Sequence, residues 1–125
     1  IEENIYVTGE IAGRYGGAYM PEQALAVKTD KGVTVITGCA HPGILKIVEV
    51  IKRKFDKENI YFVFGGFHLM SSPARTLETI VKKFREMDVE KAGPTHCTGQ
   101  KAERIFAKEY KNDFISIKTG QVFEI

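Results

Sequence analysis

The chain has no tryptophan, two cysteines, three histidines and four prolines, and its longest apolar runs are only a handful of residues. Each shortage excludes something. Apolar runs this short fall well below the roughly 20 residues that a membrane-spanning helix needs. The amino end lacks the charge, apolar core and small-residue layout of a signal peptide, so no membrane partner is expected and a cytoplasmic location follows by default. An excess of one charge is missing too: 18 Lys and Arg stand against 16 Asp and Glu, a net +2 spread along the chain. Without a basic stripe no nucleic-acid partner is expected, and Lys52-Arg53-Lys54 and Lys82-Lys83 read as solvated helix faces. The two cysteines permit one disulfide, but both lie in polar loops near histidine, a setting that suits metal binding or reactive thiols in a reducing compartment better. With only three Asn and three Gln beside abundant Lys and Glu, the composition leans towards a heat-adapted organism.

What is present is enough for one domain, residues 1–125, around one core: 43% of the residues are hydrophobic. The first residue is Ile1 rather than Met, which suggests a trimmed or cut chain. Residues 4–8 read as a short strand. Residues 9–20 have no periodicity and hold Gly9, Gly13, Gly16, Gly17, Tyr15 and Tyr19, a composition that fits a mobile flap or an ordinary surface connection. Residues 23–28 alternate apolar and polar, then an Asp30-Lys31-Gly32 turn leads into residues 32–37, which predicts a β-hairpin with Gly32 at the left-handed position.

The period then changes. Ile44, Leu45, Ile47, Val48, Ile51 and Phe55 recur at helical spacing opposite Lys46, Glu49, Lys52 and Arg53, an amphipathic helix packed on a sheet. Residues 60–64, IYFVF, form a central strand buried on both faces. Ser72 followed by Pro73 predicts a helix start, with Ser as cap and Pro at the first helical position. Leu77, Ile80, Val81, Phe84 and Met87 mark its buried side. Residues 89–93 form a weak strand, 101–110 a third helix, and 114–118 and 121–125 two closing strands. Strands and helices alternating in this way imply an α/β mixed sheet with right-handed crossovers and helices on one face.

All three histidines and both cysteines fall in three loops, Gly38-Cys39-Ala40-His41-Pro42-Gly43, Gly65-Gly66-Phe67-His68-Leu69 and Pro94-Thr95-His96-Cys97-Thr98-Gly99. Each follows a strand. If those strands are parallel neighbours, the loops emerge along one edge of the sheet, where open α/β sheets bind ligands. A lone loop histidine more often bonds to a carbonyl than to a metal. Three in equivalent strand-end loops favour a metal or catalytic role for His41 and His96, with His68 divided between that and a packing or capping role. Cys39 reads either as a thiolate ligand for a soft divalent metal such as zinc or as a small buried residue at a strand end. His96 and Cys97 are adjacent, and neighbouring side chains diverge in regular backbone, so at most one of them is expected to be a ligand.

The motifs ITGCAHPGI, GGFHL and PTHCTG, with VTGEI and PEQALAVKTDKG before them, resemble the carboxyl-terminal half of metallo-β-lactamase-fold proteins. Among these they are most similar to the branch labelled 7,8-dihydropterin-6-methyl-4-(β-D-ribofuranosyl)aminobenzene-5′-phosphate synthase or metal-dependent hydrolase, where Asp usually replaces Pro21. The resemblance runs nearly end to end. It implies half of a four-layer αββα sandwich, whose edge holds one or two divalent ions, usually zinc, that activate water or polarise a substrate oxygen. His96 matches the last metal-ligand histidine of that fold, and His41 with Cys39 matches the bridging or second-site region, His41 being preferred. His68 matches a position near the substrate, and the resemblance implies that Gly66, His68 and the helix starting at Ser72 hold a substrate phosphate.

One departure is large. The histidine-rich HxHxDH loop of the fold's first half has no counterpart among three histidines. A catalytic zinc site takes three protein ligands and an open position. The expectation is therefore a metal-dependent hydrolase or pterin-type synthase acting on a small phosphorylated substrate when complete, with unaided catalysis by these 125 residues not expected. The alternative is a non-catalytic subunit or remnant serving as an interaction module. In either case half a sandwich exposes an apolar sheet face, to be covered by self-association or by a chain carrying the HxHxDH half.

Overall fold

The structure, a computed structural model, describes residues 2–125; Ile1, whose place at the start suggested a trimmed chain, lies outside them. Five strands form one sheet in the order β1 (Ile5–Val7), β4 (Leu25–Thr29), β5 (Gly32–Thr37), β6 (Ile60–Gly66) and β7 (Val89–Thr95). The first three pair antiparallel, while β5, β6 and β7 run parallel. The expected hairpin is β4–β5, and Gly32 takes φ +126° at its turn, where a side chain would strike Asn59.

Helix α1 (Ile44–Lys54) links β5 to β6, and α2 (Ala74–Glu86) links β6 to β7. Both crossovers advance in one direction across the sheet, so right-handed connections put both helices on the same face. A single core confirms the layering. Ile44, Ile47, Val48 and Ile51 of α1, Leu77, Val81 and Phe84 of α2, and Ala102, Phe106 and Tyr110 of α3 (Gln100–Tyr110) join Val33, Val35, Val63, Val89 and Ala92 of the sheet. Phe67, Phe84 and Phe106 pack with ring centroids 5.2 to 5.5 Å apart. Tyr110 donates its hydroxyl to Val89 O at 3.0 Å, so its one polar atom is satisfied inside the core. Burial raises the Tyr110 phenol well above its ordinary range, although the Arg85 guanidinium, 3.8 Å above the ring, acts the other way.

Four expectations differ from the fold. The 9–20 segment is no featureless loop: β2 (Arg14–Tyr15) and β3 (Ala18–Tyr19) form a small hairpin turned by Gly16 and Gly17, both at positive φ. Helix α2 starts one residue later than expected, with Pro73 as its extended cap residue and Ser72 in the turn before it. Residues 114–118 contribute a single bridge, Phe114 to Ala92, and residues 121–125 form no strand. Those segments instead cross the sheet face opposite the helices. Phe123 packs edge-on against Phe62 and Phe64, and Ile117 lies against Gly93. The fourth difference follows from this: the apolar face expected to stand open is covered at these points by the chain's own last residues. Thr34 is buried on the same side, and its hydroxyl has no hydrogen-bond partner among the described residues.

Candidate metal centre

The parallel strands end in step, with Thr37 opposite Gly65 and Gly66 opposite Thr95, so the three histidine-bearing loops leave the sheet side by side. Hydrogen bonds stitch them together. Gly66 N donates to Gly38 O at 3.0 Å, and Leu69 N and Met70 N both donate to Cys97 O at 3.2 and 3.3 Å. Thr37 Oγ1 donates to Gly66 O at 2.9 Å, and Phe67 N donates to Thr98 Oγ1 at 3.0 Å. Each loop also holds one non-glycine residue in the left-handed region, Ala40 at φ +61°, His68 at +52° and His96 at +56°. Such conformations cost of order 1–3 kcal/mol each and persist where their surroundings hold them, often at functional sites.

His68 is aimed by its neighbours. Phe67 and Leu69 on either side are buried in the core, which leaves the imidazole to the crevice. There it meets His41, ring centroids 4.5 Å apart, and Tyr15 of the β2–β3 hairpin stands 4.9 Å from His41 and 5.0 Å from His68. The Glu22 carboxylate holds His41 from behind, accepting from Ala40 N at 2.8 Å, from His41 N at 3.2 Å and from the His41 ring at Nδ1. An ionised carboxylate can only accept, so this pairing calls for a proton on Nδ1 and leaves Nε2 as the ring atom that is not turned to Glu22.

A second group lies beside it. Cys39 Sγ and His96 Nδ1 are 3.7 Å apart, and with Cys97 Sγ these donor atoms all lie within 4.8 Å of one another. His41 stands outside this group. Burial first, then a hydrogen bond with Cys97 and the charges of Cys97 and Glu22, pushes the Cys39 thiol above its ordinary range. Without a cation Cys39 favours the thiol form; a cation reverses this, because the thiolate is the ligand. The donor set fits a zinc-like ion. Zn–S near 2.3 Å and Zn–N near 2.0–2.1 Å place sulfur and nitrogen about 3.6 Å apart across a tetrahedral ion, close to the observed 3.7 Å.

The remaining candidates divide. Gly66 has no free amide for a phosphate, since its N–H goes to Gly38 O; it serves the site as a spacer. Ser72 lies in the turn before α2, its N–H on Leu69 O. The expectation that at most one of His96 and Cys97 could be a ligand rested on neighbouring side chains diverging in regular backbone; here the chain enters a short 3-10 turn at His96–Thr98, and the donor atoms of both lie within 4.8 Å of Cys39 Sγ. Glu22 and Tyr15 were not anticipated as site residues. Neither lies in a histidine loop, and the one local signal for Glu22 is an acidic residue just ahead of the apolar strand that begins at Leu25.

A mixed sheet with helices on one face and a cluster of thiols and imidazoles on its strand-end loops defines an α/β protein with a candidate metal centre at the edge of its sheet. No protein-family model matches the chain. It is 35% identical, over 103 residues, to the 7,8-dihydropterin-6-methyl-4-(β-D-ribofuranosyl)-aminobenzene-5′-phosphate synthase of Methanocaldococcus jannaschii, a match covering 82% of this chain and 35% of that protein. An uncharacterised protein of the same organism is 31% identical, over all of this chain and 51% of its own length. The crystal structure of Tm1679, described as a metal-dependent hydrolase of the β-lactamase superfamily, superposes with a TM-score of 0.84 at 35% identity, covering all of this chain and 55% of that one. The chain belongs to the metallo-β-lactamase superfamily. It spans between about a third and just over half of the length of these relatives.

Proposed function

We propose that the chain forms one side of a divalent-metal site, with zinc as the ion, in a hydrolase or synthase that acts on a small phosphorylated substrate. One observation carries this reading: Cys39, His96 and Cys97 converge beside His41 on the ligand-binding edge of the sheet. When bound, such an ion supplies an activated water and polarises a substrate oxygen. Cys39 and His96 hold it from this chain. His41, with Nδ1 fixed on Glu22, turns Nε2 towards a second ion whose other donors come from the HxHxDH half, in the rest of the protein or in a partner chain. His68 and Ser72 face the phosphate, and Tyr15 shields the His41–His68 pair from water on the hairpin side. No observation specifically favours a non-catalytic interaction module.

Elemental analysis of the purified chain, repeated on His41→Ala and His96→Ala, tests the reading. Metal is expected in the parent and less in at least one variant. Equal content in all three overturns it, as does a full-length protein whose hydrolysis of phosphate esters is indifferent to a chelator.

A further inference from the structure

Nothing about the missing HxHxDH loop requires this chain to be metal-free without it. We infer that Cys39, His96 and Cys97 form a self-contained Cys2His site for a soft divalent ion, complete within these 125 residues and independent of any histidine-rich loop. The inference rests on the metal reading of this crevice, and it goes further by making Cys97 a ligand and by dispensing with outside donors.

Three features support it. The donor atoms lie within 4.8 Å of one another although they come from loops more than fifty residues apart in sequence. They need to draw in by only about 1 Å to meet one ion at thiolate and imidazole bond lengths. The loops are already fixed to one another, by Gly66 N to Gly38 O on the Cys39 side and by Leu69 N and Met70 N to Cys97 O on the other, so little ordering remains for the ion to impose. The interaction that must be surrendered is weak, since Cys97 Sγ now donates to Cys39 O at 3.3 Å. Two thiolates and one neutral imidazole leave a fourth position free, the Cys2His arrangement that catalytic zinc takes with water or substrate as its last ligand. Two sulfurs select zinc, cobalt or copper(I) over magnesium or calcium. Binding releases the two thiol protons to solvent, which balances the charge of the ion.

Cobalt(II) is the probe, added to the intact, reduced, metal-stripped chain. The expected result is near-ultraviolet thiolate-to-cobalt charge transfer with visible bands of a tetrahedral ion, bleached by one equivalent of zinc. Cys39→Ser, Cys97→Ser and His96→Gln each weaken binding by more than about a hundredfold, above the range of roughly 10–100-fold that loss of an outer-sphere partner gives. His41→Gln keeps the thiolate signal. Alkylation followed by mass spectrometry on the unmodified chain supplies a readout that needs no variant: zinc shields both Cys39 and Cys97 together. Cobalt bound without thiolate absorption and lost in His41→Gln overturns the inference while leaving the metal-dependent reading intact. No cobalt or zinc binding at all, with both cysteines alkylated at the same rate with and without metal, also overturns it, and the metal-dependent reading is then decided separately by chelator sensitivity of the full-length protein.

Discussion

Gly66→Ala is the sharpest probe of how the crevice is built. Gly66 has no left-handed φ, so the effect of a methyl group is purely one of space. Its Cβ would lie 2.3 Å from Gly38 O, 2.8 Å from Cys97 Sγ and 3.2 Å from Cys39 Cα, where contact needs at least 3.0 Å. The backbone of the Cys39 loop must therefore retreat by about 0.7 Å, and the Gly66 N to Gly38 O bond stretches with it. Overpacking of this kind costs about 1–3 kcal/mol and the weakened hydrogen bond about 0.5–1.5 kcal/mol. Burying one methyl and replacing a flexible strand glycine return about 1–2 kcal/mol together. The expected net loss is about 2 kcal/mol, read as a lower urea midpoint at unchanged slope. The same retreat separates Cys39 from Cys97 by more than the tolerance of roughly 0.2 Å on metal–ligand distances, so cobalt affinity should fall at least about tenfold. Gly38→Ala is the control, since its Cβ would meet nothing within 4 Å; its effect should stay within about 0.5 kcal/mol. Wild-type stability and affinity in Gly66→Ala, or equal damage from both substitutions, would refute the reasoning.

Other perturbations have equally definite outcomes. Thr34→Val removes a buried hydroxyl with no partner while keeping the β-branched shape, so the urea midpoint should rise by about 1 kcal/mol equivalent; a loss of that size would show that the hydroxyl is satisfied. Tyr110 has its phenol raised by burial, so above the ordinary phenol value of about 10 the unfolded chain binds fewer protons than the folded one and stability falls as pH rises. Tyr110→Phe should flatten that alkaline decline while lowering stability near neutrality by about 1 kcal/mol through loss of the bond to Val89 O; an unaltered alkaline slope would place the titration elsewhere. Glu22→Ala frees the amides of Ala40 and His41, and hydrogen exchange at those two positions should quicken by at least about tenfold, since bonds to a charged acceptor are worth about 1.5–3 kcal/mol; unchanged exchange would mean that Glu22 does not hold the loop.

Elements with a strong period were legible from the residues alone. Apolar spacing of three and four defined α1, α2 and α3 to within a residue or two, because each buries one stripe on a common core. The Asp30-Lys31-Gly32 turn announced β4–β5 through its chemistry. The β2–β3 hairpin carried a signal too, Gly16-Gly17 between two tyrosines, but strands of two residues show no alternation. Residues 114–125 failed for the opposite reason. Their apolar residues alternate like a strand's, yet a strand needs a neighbouring backbone, and beyond Ala92 the chain lies against side chains of the sheet instead. At the site, the three loops could be placed on one edge by strand order. The partition of their side chains could not be read, because it depends on left-handed turns at Ala40, His68 and His96 and on Glu22 from a different part of the chain.

The pair Gly65-Gly66, which in the sequence looks like room left for a ligand, is room left for the protein itself. Neighbouring strands stand about 4.8 Å apart, so β5 and β7, flanking β6, are separated by about 9.6 Å. The donors they carry are nonetheless 3.7 Å apart, from Cys39 Sγ to His96 Nδ1. The two outer loops can approach only by leaning over the end of β6, and any side chain there would stand between them. At Gly65 a Cβ would lie 2.2 Å from Thr37 O, and at Gly66 it would touch both Cys39 Cα and Cys97 Sγ. Two successive glycines at the carboxyl end of the middle parallel strand are therefore what allows thiol, imidazole and thiol to meet. They also make the meeting a property of loops that leave three neighbouring strands of one sheet, with Glu22 holding the Cys39 loop from outside through the amides of Ala40 and His41.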